Sequence, residues 1–219
     1  MHELNVTASR RLTIGGLLWT SLIQIFAVNA IVLSHASSQN LEDHIISALG
    51  VTHCGRIEGF RFCSPWHEAA DVAWIVGGLS LCLGAVHNAA IFTPSRVRNL
   101  AFGALIVSGL GLVSTGMNPY NLRPTEHLLS AGVCFFSGAV GVLFLGSLFR
   151  GANRPYWGAI GIACAVMSII AATLTALRPD PGVQGVFERV SAWPSLLWLI
   201  GTGLFITVSA RRAAGSGVG

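Results

Sequence analysis

Six stretches of mostly apolar residues, each close to twenty residues long, constrain this chain more than anything else in it. They run approximately from Thr13 to Leu33, Ala69 to Phe92, Leu100 to Met117, His127 to Phe149, Tyr156 to Leu177 and Ser191 to Ala210. A hydrocarbon layer roughly 30 Å thick takes about 20 residues of helix to cross. Lipid cannot hydrogen-bond a bare backbone, so such runs must be helices, and the alternation expected of barrel strands is absent. A chain of 219 residues that is 53% hydrophobic and 10% charged, with a mean hydropathy of +0.66, lies outside the range of soluble domains. The expected fold is all-α: an integral membrane bundle of six transmembrane helices with short loops and one longer extracytoplasmic loop. Residues 1–212 read as a single domain and residues 213–219 as a disordered cytoplasmic tail.

The charges are sorted by side. All basic residues other than histidine are arginines, and Arg10, Arg11, Arg96, Arg98, Arg150, Arg154, Arg211 and Arg212 flank alternate helix ends. Arg56, Arg61, Arg123, Arg178 and Arg189 fall on the other face. An excess of arginine in short loops marks the cytoplasmic side, which places both termini in the cytoplasm of a multi-pass cell-membrane protein. The first face holds one carboxylate, Glu3; the second holds Glu42, Asp43, Glu58, Glu68, Asp71, Glu126, Asp180 and Glu188. The net charge of +4 is therefore a topology signal and an attraction to anionic lipid, with no nucleic-acid partner implied. The first apolar run lacks a small-residue cleavage site and reads as a retained span. Small residues such as Gly138 with Gly141 and Gly158 with Gly161 suit close helix packing.

The longest loop, Ser34 to Glu68, is where the sequence becomes specific. It holds Ser47-Ala-Leu-Gly50, Cys54 and Cys63-Ser-Pro-Trp-His67, with Asp71 one turn into the second span. Outside the cytoplasm, Cys54 and Cys63 would meet an oxidising compartment and are close enough in sequence to form a disulfide, free thiols being the alternative. Cys82, Cys134 and Cys164 lie inside helices, where a free cysteine acts as a small apolar residue.

These elements, together with the Asn118-Pro119 turn after the third span and His127 opening the fourth, resemble the prokaryotic six-helix membrane proteins grouped as domain-of-unknown-function family 998. The resemblance covers about residues 12 to 210, and Cys-Ser-Pro-x-His is its most specific part. It implies the six-helix fold and a shared polar site. Family members often carry Asn where this chain has Asp71, and the turn before the fourth helix is less typical.

The candidate catalytic groups are Asp71, His67, Glu126, His127 and Glu188. His67 and Asp71 are four residues apart and share a helix face if the second helix starts near Pro65. A carboxylate inside an apolar span, as Asp71 is, faces a bundle interior or a water-filled cavity. Glu126 with His127 supplies a second acid and imidazole at the start of the fourth helix, and Glu188 with Arg189 pairs an acid and a cation at the start of the sixth. The plainer reading of Glu68, Glu126 and Glu188 is stabilisation of helix N-termini, roughly 0.3–1 kcal/mol each. Asn118, Arg189, Trp74, Trp193 and Trp198 are candidate substrate contacts, the tryptophans clustering toward the outer helix ends, where an interfacial aromatic belt is the plainer explanation. Gln24 and Asn29 in the first span could line the same cavity. His53, His67, Asp71 and His127 are possible metal ligands, but their spacing matches no standard zinc pattern, so neither metal nor cofactor is expected.

Two functions of different class fit. One is an intramembrane enzyme performing cofactor-independent acid–base chemistry (cyclisation, isomerisation or hydrolysis) on a hydrophobic small molecule or lipid, as a cyclase or lipid-modifying enzyme would. The other is a non-catalytic ligand-binding or sensing protein, or a small transporter. No Ser-His-Asp order, nucleophile elbow or nucleotide motif is present. Short loops and the lack of obvious broken helices in paired positions argue mildly against an alternating-access carrier.

Overall fold

The structure, a computed structural model, describes residues 2–38, 45–57, 60–177 and 181–215. The loop charges Glu42, Asp43, Glu58, Arg178 and Asp180, and residues 216–219 of the expected tail, lie outside the described residues, as does the side chain of Glu3. Among the described residues seven α-helices form: α1 (His2–Thr20), α2 (Ile23–His35), α3 (His67–Asn88), α4 (Arg96–Met117), α5 (Pro124–Gly151), α6 (Pro155–Leu177) and α7 (Pro181–Gly215). Six spans are long and apolar enough to cross a membrane, the first made of α1 and α2 together. This is an all-α membrane bundle.

The spans form a ring in chain order. The pairs α3–α4, α4–α5, α5–α6, α6–α7, α7–α1 and α1–α3 all pack together, which closes the circuit. Lipid tails give helices no hydrophobic reason to associate, so the contacts rely on small residues that let backbones approach. A Cβ on Gly78 would lie 2.4 Å from the carbonyl oxygen of Gly109, and one on Gly203 would lie 2.6 Å from that of Gly16. The neighbours are backbone atoms and cannot rotate away. Gly203→Val is therefore expected to cost about 3 kcal/mol, the upper end of ordinary overpacking. Gly103→Ala, where nothing lies within 4 Å of the added carbon, is expected to stabilise by about 0.5–1 kcal/mol through helix propensity. Thermal unfolding of the two variants in detergent checks the opposite signs.

Two helices depart from the hydropathy boundaries. The first run is interrupted at Ser21–Leu22, where bonds of the three-residue type, Leu22 N to the Trp19 carbonyl (3.2 Å) and Gln24 N to that of Ser21 (3.0 Å), replace the regular ladder. Thr20 Oγ1 donates to the Gly16 carbonyl (2.8 Å) and Ser21 Oγ to that of Leu18 (2.8 Å), the hydroxyl back-bonding that bends helices. One apolar run thus contains two helices, α1 and α2. The last helix begins at Pro181 rather than near Ser191, because Gln184, Glu188 and Arg189 lower the hydropathy of two helical turns without breaking them. Glu188 is thus inside the helix and does not cap its start.

The long loop caps one end of the ring. A 3-10 turn spans Ile46–Gly50, and strands β1 (Ser37–Ser38), β2 (Gly55–Ile57) and β3 (Phe60–Cys63) form a small antiparallel sheet ordered β1-β3-β2. In sequence β1 precedes the turn; in space it pairs Ser37 with Cys63 and Ser38 with Phe62. Cys54 and Cys63 form a disulfide across nine positions, a closure that contributes roughly 2–3 kcal/mol to loop order. Ser64 Oγ donates to the Leu49 carbonyl (2.7 Å), and Asn121 holds Thr52 through its side chain, accepting from the Thr52 amide at 3.1 Å. The sheet, the α4–α5 connection and the Cys63-Ser64-Pro65 segment together fix the 3-10 turn over the bundle.

Candidate functional site

The turn carries Ser47 into the ring, where it joins side chains from two helices. Ser47 Oγ lies 2.6 Å from Glu188 Oε1 of α7, within hydrogen-bond distance, and the Ile46 amide donates to Glu188 Oε2. On its other side, Ser47 Oγ lies 2.9 Å from Nε2 of His127, from α5. The Nδ1 of His127 lies 2.7 Å from the Asn118 backbone carbonyl. Glu188 is 6% exposed, Ser47 6% and His127 fully buried. Trp74 and Tyr120 set ring edges or faces against the imidazole, with centroids 6.3 and 5.6 Å away.

Counting hydrogens constrains the state of this chain of groups. A carbonyl only accepts, so His127 Nδ1 carries a proton. Ser47 has one hydroxyl hydrogen and lies between a carboxylate and Nε2. Both contacts are satisfied in two arrangements: a protonated Glu188 donating to Ser47, which donates to neutral His127, or an imidazolium donating to Ser47, which donates to ionised Glu188. Each holds one transferable proton and each is neutral overall, which suits a buried setting. The two interconvert by shifting protons through the Ser47 hydroxyl.

The groups front a cavity of about 70 Å³ lined by helices of the ring. Ser47, Glu188 and Trp74 line its polar end, and Leu112, Phe135, Leu196 and Leu199 continue it toward the middle of the bundle. His127 stands behind Ser47 and does not line it.

Asp71 and His67 form a second polar pair beside the first. His67 Nδ1 is 3.7 Å from Asp71 Oδ2, beyond hydrogen-bond distance, and both His67 Nδ1 and Asp71 Oδ1 are buried without a partner. A Cβ on Gly50 would fall 2.3 Å from Asp71 Oδ1 and 2.8 Å from the Trp74 ring. Only glycine lets the 3-10 turn rest on both side chains. The same turn therefore touches both pairs, at Ser47 and at Gly50.

The other candidates are distributed differently. Glu126 is exposed at the start of α5, with its backbone carbonyl accepting from Ser130 Oγ. Adjacent residues on a helix point about 100° apart, and it is His127 that turns inward. Asn118 acts through its backbone carbonyl, while its Nδ2 donates to the Ser114 carbonyl at 2.7 Å. Arg189 donates to the Gly185 carbonyl (2.8 Å) and places its guanidinium 5.7 Å from the Trp193 ring centre. Trp193 lines the cavity. Trp198 does not; it stacks on Trp157 at 5.7 Å and donates to the Trp157 carbonyl at 3.0 Å. Asn29 lines the cavity, whereas Gln24 donates to the Ala73 carbonyl (2.8 Å). Among the described residues no three of His, Cys, Asp and Glu gather closely enough to hold a metal ion. The role of Ser47 as the bridge was not read from sequence; its presence in the loop motif was the available signal.

A family model described as a protein of unknown function, DUF998, matches residues 16–204. The chain belongs to the DUF998 family. It has no match among curated proteins or among solved structures. The matched segment of this DUF998 protein contains both polar pairs, the disulfide and every cavity-lining residue.

Proposed function

We propose that this membrane protein is an enzyme that performs acid–base chemistry on a hydrophobic small molecule or lipid held in the ring cavity. The carrying observation is one buried Glu188–Ser47–His127 hydrogen-bonded line with its carboxylate end on an apolar cavity. Glu188 is the group that exchanges a proton with the ligand; Ser47 passes a proton between Glu188 and His127; the Asn118 carbonyl holds the imidazole in register. When Glu188 gives its proton to the ligand, the carboxylate left behind accepts a hydrogen bond from the Ser47 hydroxyl, which keeps its hydrogen, and its charge faces the developing cation. A reaction that returns a proton later, such as isomerisation or cyclisation, restores the chain without a cofactor. Trp74 and Trp193 wall the cavity and offer ring faces to a transient positive charge.

The polar end lies on the face bearing the disulfide, and the arginine-rich face bears both termini. We place the site at the extracytoplasmic side of the cell membrane on that basis.

The experiment is conversion of a lipid-soluble extract of the source cells by proteoliposomes of the parent protein and of Glu188→Gln, followed by mass spectrometry. A species consumed by the parent and spared by the variant supports the enzyme. A species retained unchanged by the parent supports binding or sensing instead, a reading favoured by the small volume of the cavity.

A further inference from the structure

The break at Ser21–Leu22 changes what the first span touches. Below it, α1 packs along α7, with Gly16 and Gly203 in near contact. Above it, α2 leans on α3 and on the 3-10 turn and hardly meets α7; Gln24 fastens it to the Ala73 carbonyl of α3. The side of the cavity between α2 and α7 is closed by aromatic side chains. Trp193 lines the cavity, and Phe26 lies against it with ring centroids 5.5 Å apart. The Arg189 guanidinium sits over the same indole.

Three positions after Phe26 on α2 is Asn29, also cavity-lining. It is 7% exposed, and its carboxamide oxygen has no hydrogen-bond partner. Such a group within a membrane span is costly unless a ligand or another side chain meets it. The cavity hydroxyls have their hydrogens engaged and keep only lone pairs for a ligand: Thr115 donates to the Gly111 carbonyl (2.9 Å), Ser108 to that of Cys134 (2.8 Å), Ser191 to that of Phe187 (2.7 Å), and Ser195 is bonded to Ser168 (3.0 Å). Asn29 Oδ1 is the cavity-lining acceptor among the described residues that has no partner at all. The rest of the wall is apolar.

Size narrows the ligand further. An apolar cavity of about 150 Å³ takes a benzene ring, and this one is about 70 Å³. That leaves room for a few carbons of an unbranched chain and not for a ring system.

Resting on the reading of this cavity as the reaction site, we propose that its ligand is a slim-chain apolar alcohol that enters sideways from the bilayer between α2 and α7. The Phe26–Trp193 pair is the gate, and Asn29 accepts the hydrogen bond from the ligand's hydroxyl. The hydroxyl then stands at the Glu188 end while the chain follows Leu112 and Leu196 inward.

The test uses two photoprobes in proteoliposomes, a short unbranched primary alcohol with a diazirine at its far end and its methyl ether, with labelled peptides read by mass spectrometry. Labelling of the cavity-facing stretches Ala131–Ala139 and Ser191–Leu199 by the alcohol, about tenfold over the ether, is expected, the worth of one hydrogen bond. Asn29→Leu is expected to abolish that preference, and Phe26→Ala or Trp193→Ala to speed labelling. Labelling confined to lipid-facing residues, or equal for alcohol and ether in the parent, would overturn the proposal. The photoprobe needs no turnover, so its result is separable from the catalytic one. Cavity labelling in a protein that converts nothing supports the ligand and its route while counting against the enzyme; conversion of an extract component without cavity labelling does the reverse.

Discussion

His127→Ala is expected to destabilise the bundle by about 3–5 kcal/mol, the cost of breaking a buried, hydrogen-bonded charge-bearing pair by removing one partner. The imidazole is fully buried, so no water replaces it at Ser47 or at the Asn118 carbonyl, and Glu188 loses the group with which it shares a proton. Packing is lost as well, because Trp74 and Tyr120 rest on the ring. Glu188→Leu is expected to cost a similar amount. The double variant His127→Leu with Glu188→Leu is expected to fall short of the summed single effects by about 0.5–3 kcal/mol, the range for side chains in one network. Thermal or denaturant unfolding in detergent measures the four corners of that cycle. Simple additivity would mean that the two groups do not share a proton through Ser47.

The second large effect is on turnover. Glu188→Gln keeps a side chain of the same shape, which can still accept one hydrogen bond through its carbonyl but cannot exchange a proton. Loss of a positioned acid or base costs about 10²- to 10⁴-fold in rate, and the expected loss here falls on kcat, with KM little changed because the cavity wall is intact. Ser47→Ala interrupts the line while leaving both end groups, and is expected to give a loss in the same range. Combining Ser47→Ala with Glu188→Gln is expected to add little to either alone, as groups acting as one unit are strongly non-additive. Independent losses that multiply would assign the two residues to separate tasks. Rates are read with whichever extract component the parent consumes.

The six spans were legible because hydrophobic length is a property of sequence alone. The interruption at Ser21–Leu22 was not, since two short polar residues barely lower the hydropathy of a long apolar run and the bend depends on where their hydroxyls find carbonyls. The early start of α7 was hidden for the opposite reason: Gln184, Glu188 and Arg189 look like loop residues by polarity while fitting a helix by geometry. Glu188 and His127 could both be singled out as chemically unusual, but not as partners, because 61 residues separate them and the link is a serine on a third segment. Serine inside membrane proteins is common and carries no signal by type. Glu126 and His127 were read together as neighbours in sequence, yet a helix sends adjacent side chains in different directions, and one ended in the core while the other faced out. Trp198 misled similarly: the longer α7 sets it seventeen residues into the helix, against Trp157 rather than at the outer rim.

The central claim is the Glu188–Ser47–His127 line, and ¹⁵N NMR of the histidine-labelled protein tests it most directly, with the His127 signals assigned by their loss in His127→Asn. The expected spectrum shows His127 protonated at Nδ1 and hydrogen-bonded at Nε2, with the Nε2 resonance moving in Ser47→Ala and again in Glu188→Gln while Nδ1, held by the Asn118 carbonyl, stays in place. An Nε2 resonance indifferent to both substitutions would contradict the account, leaving His127 a packed core residue and Glu188 a carboxylate that merely holds the loop turn.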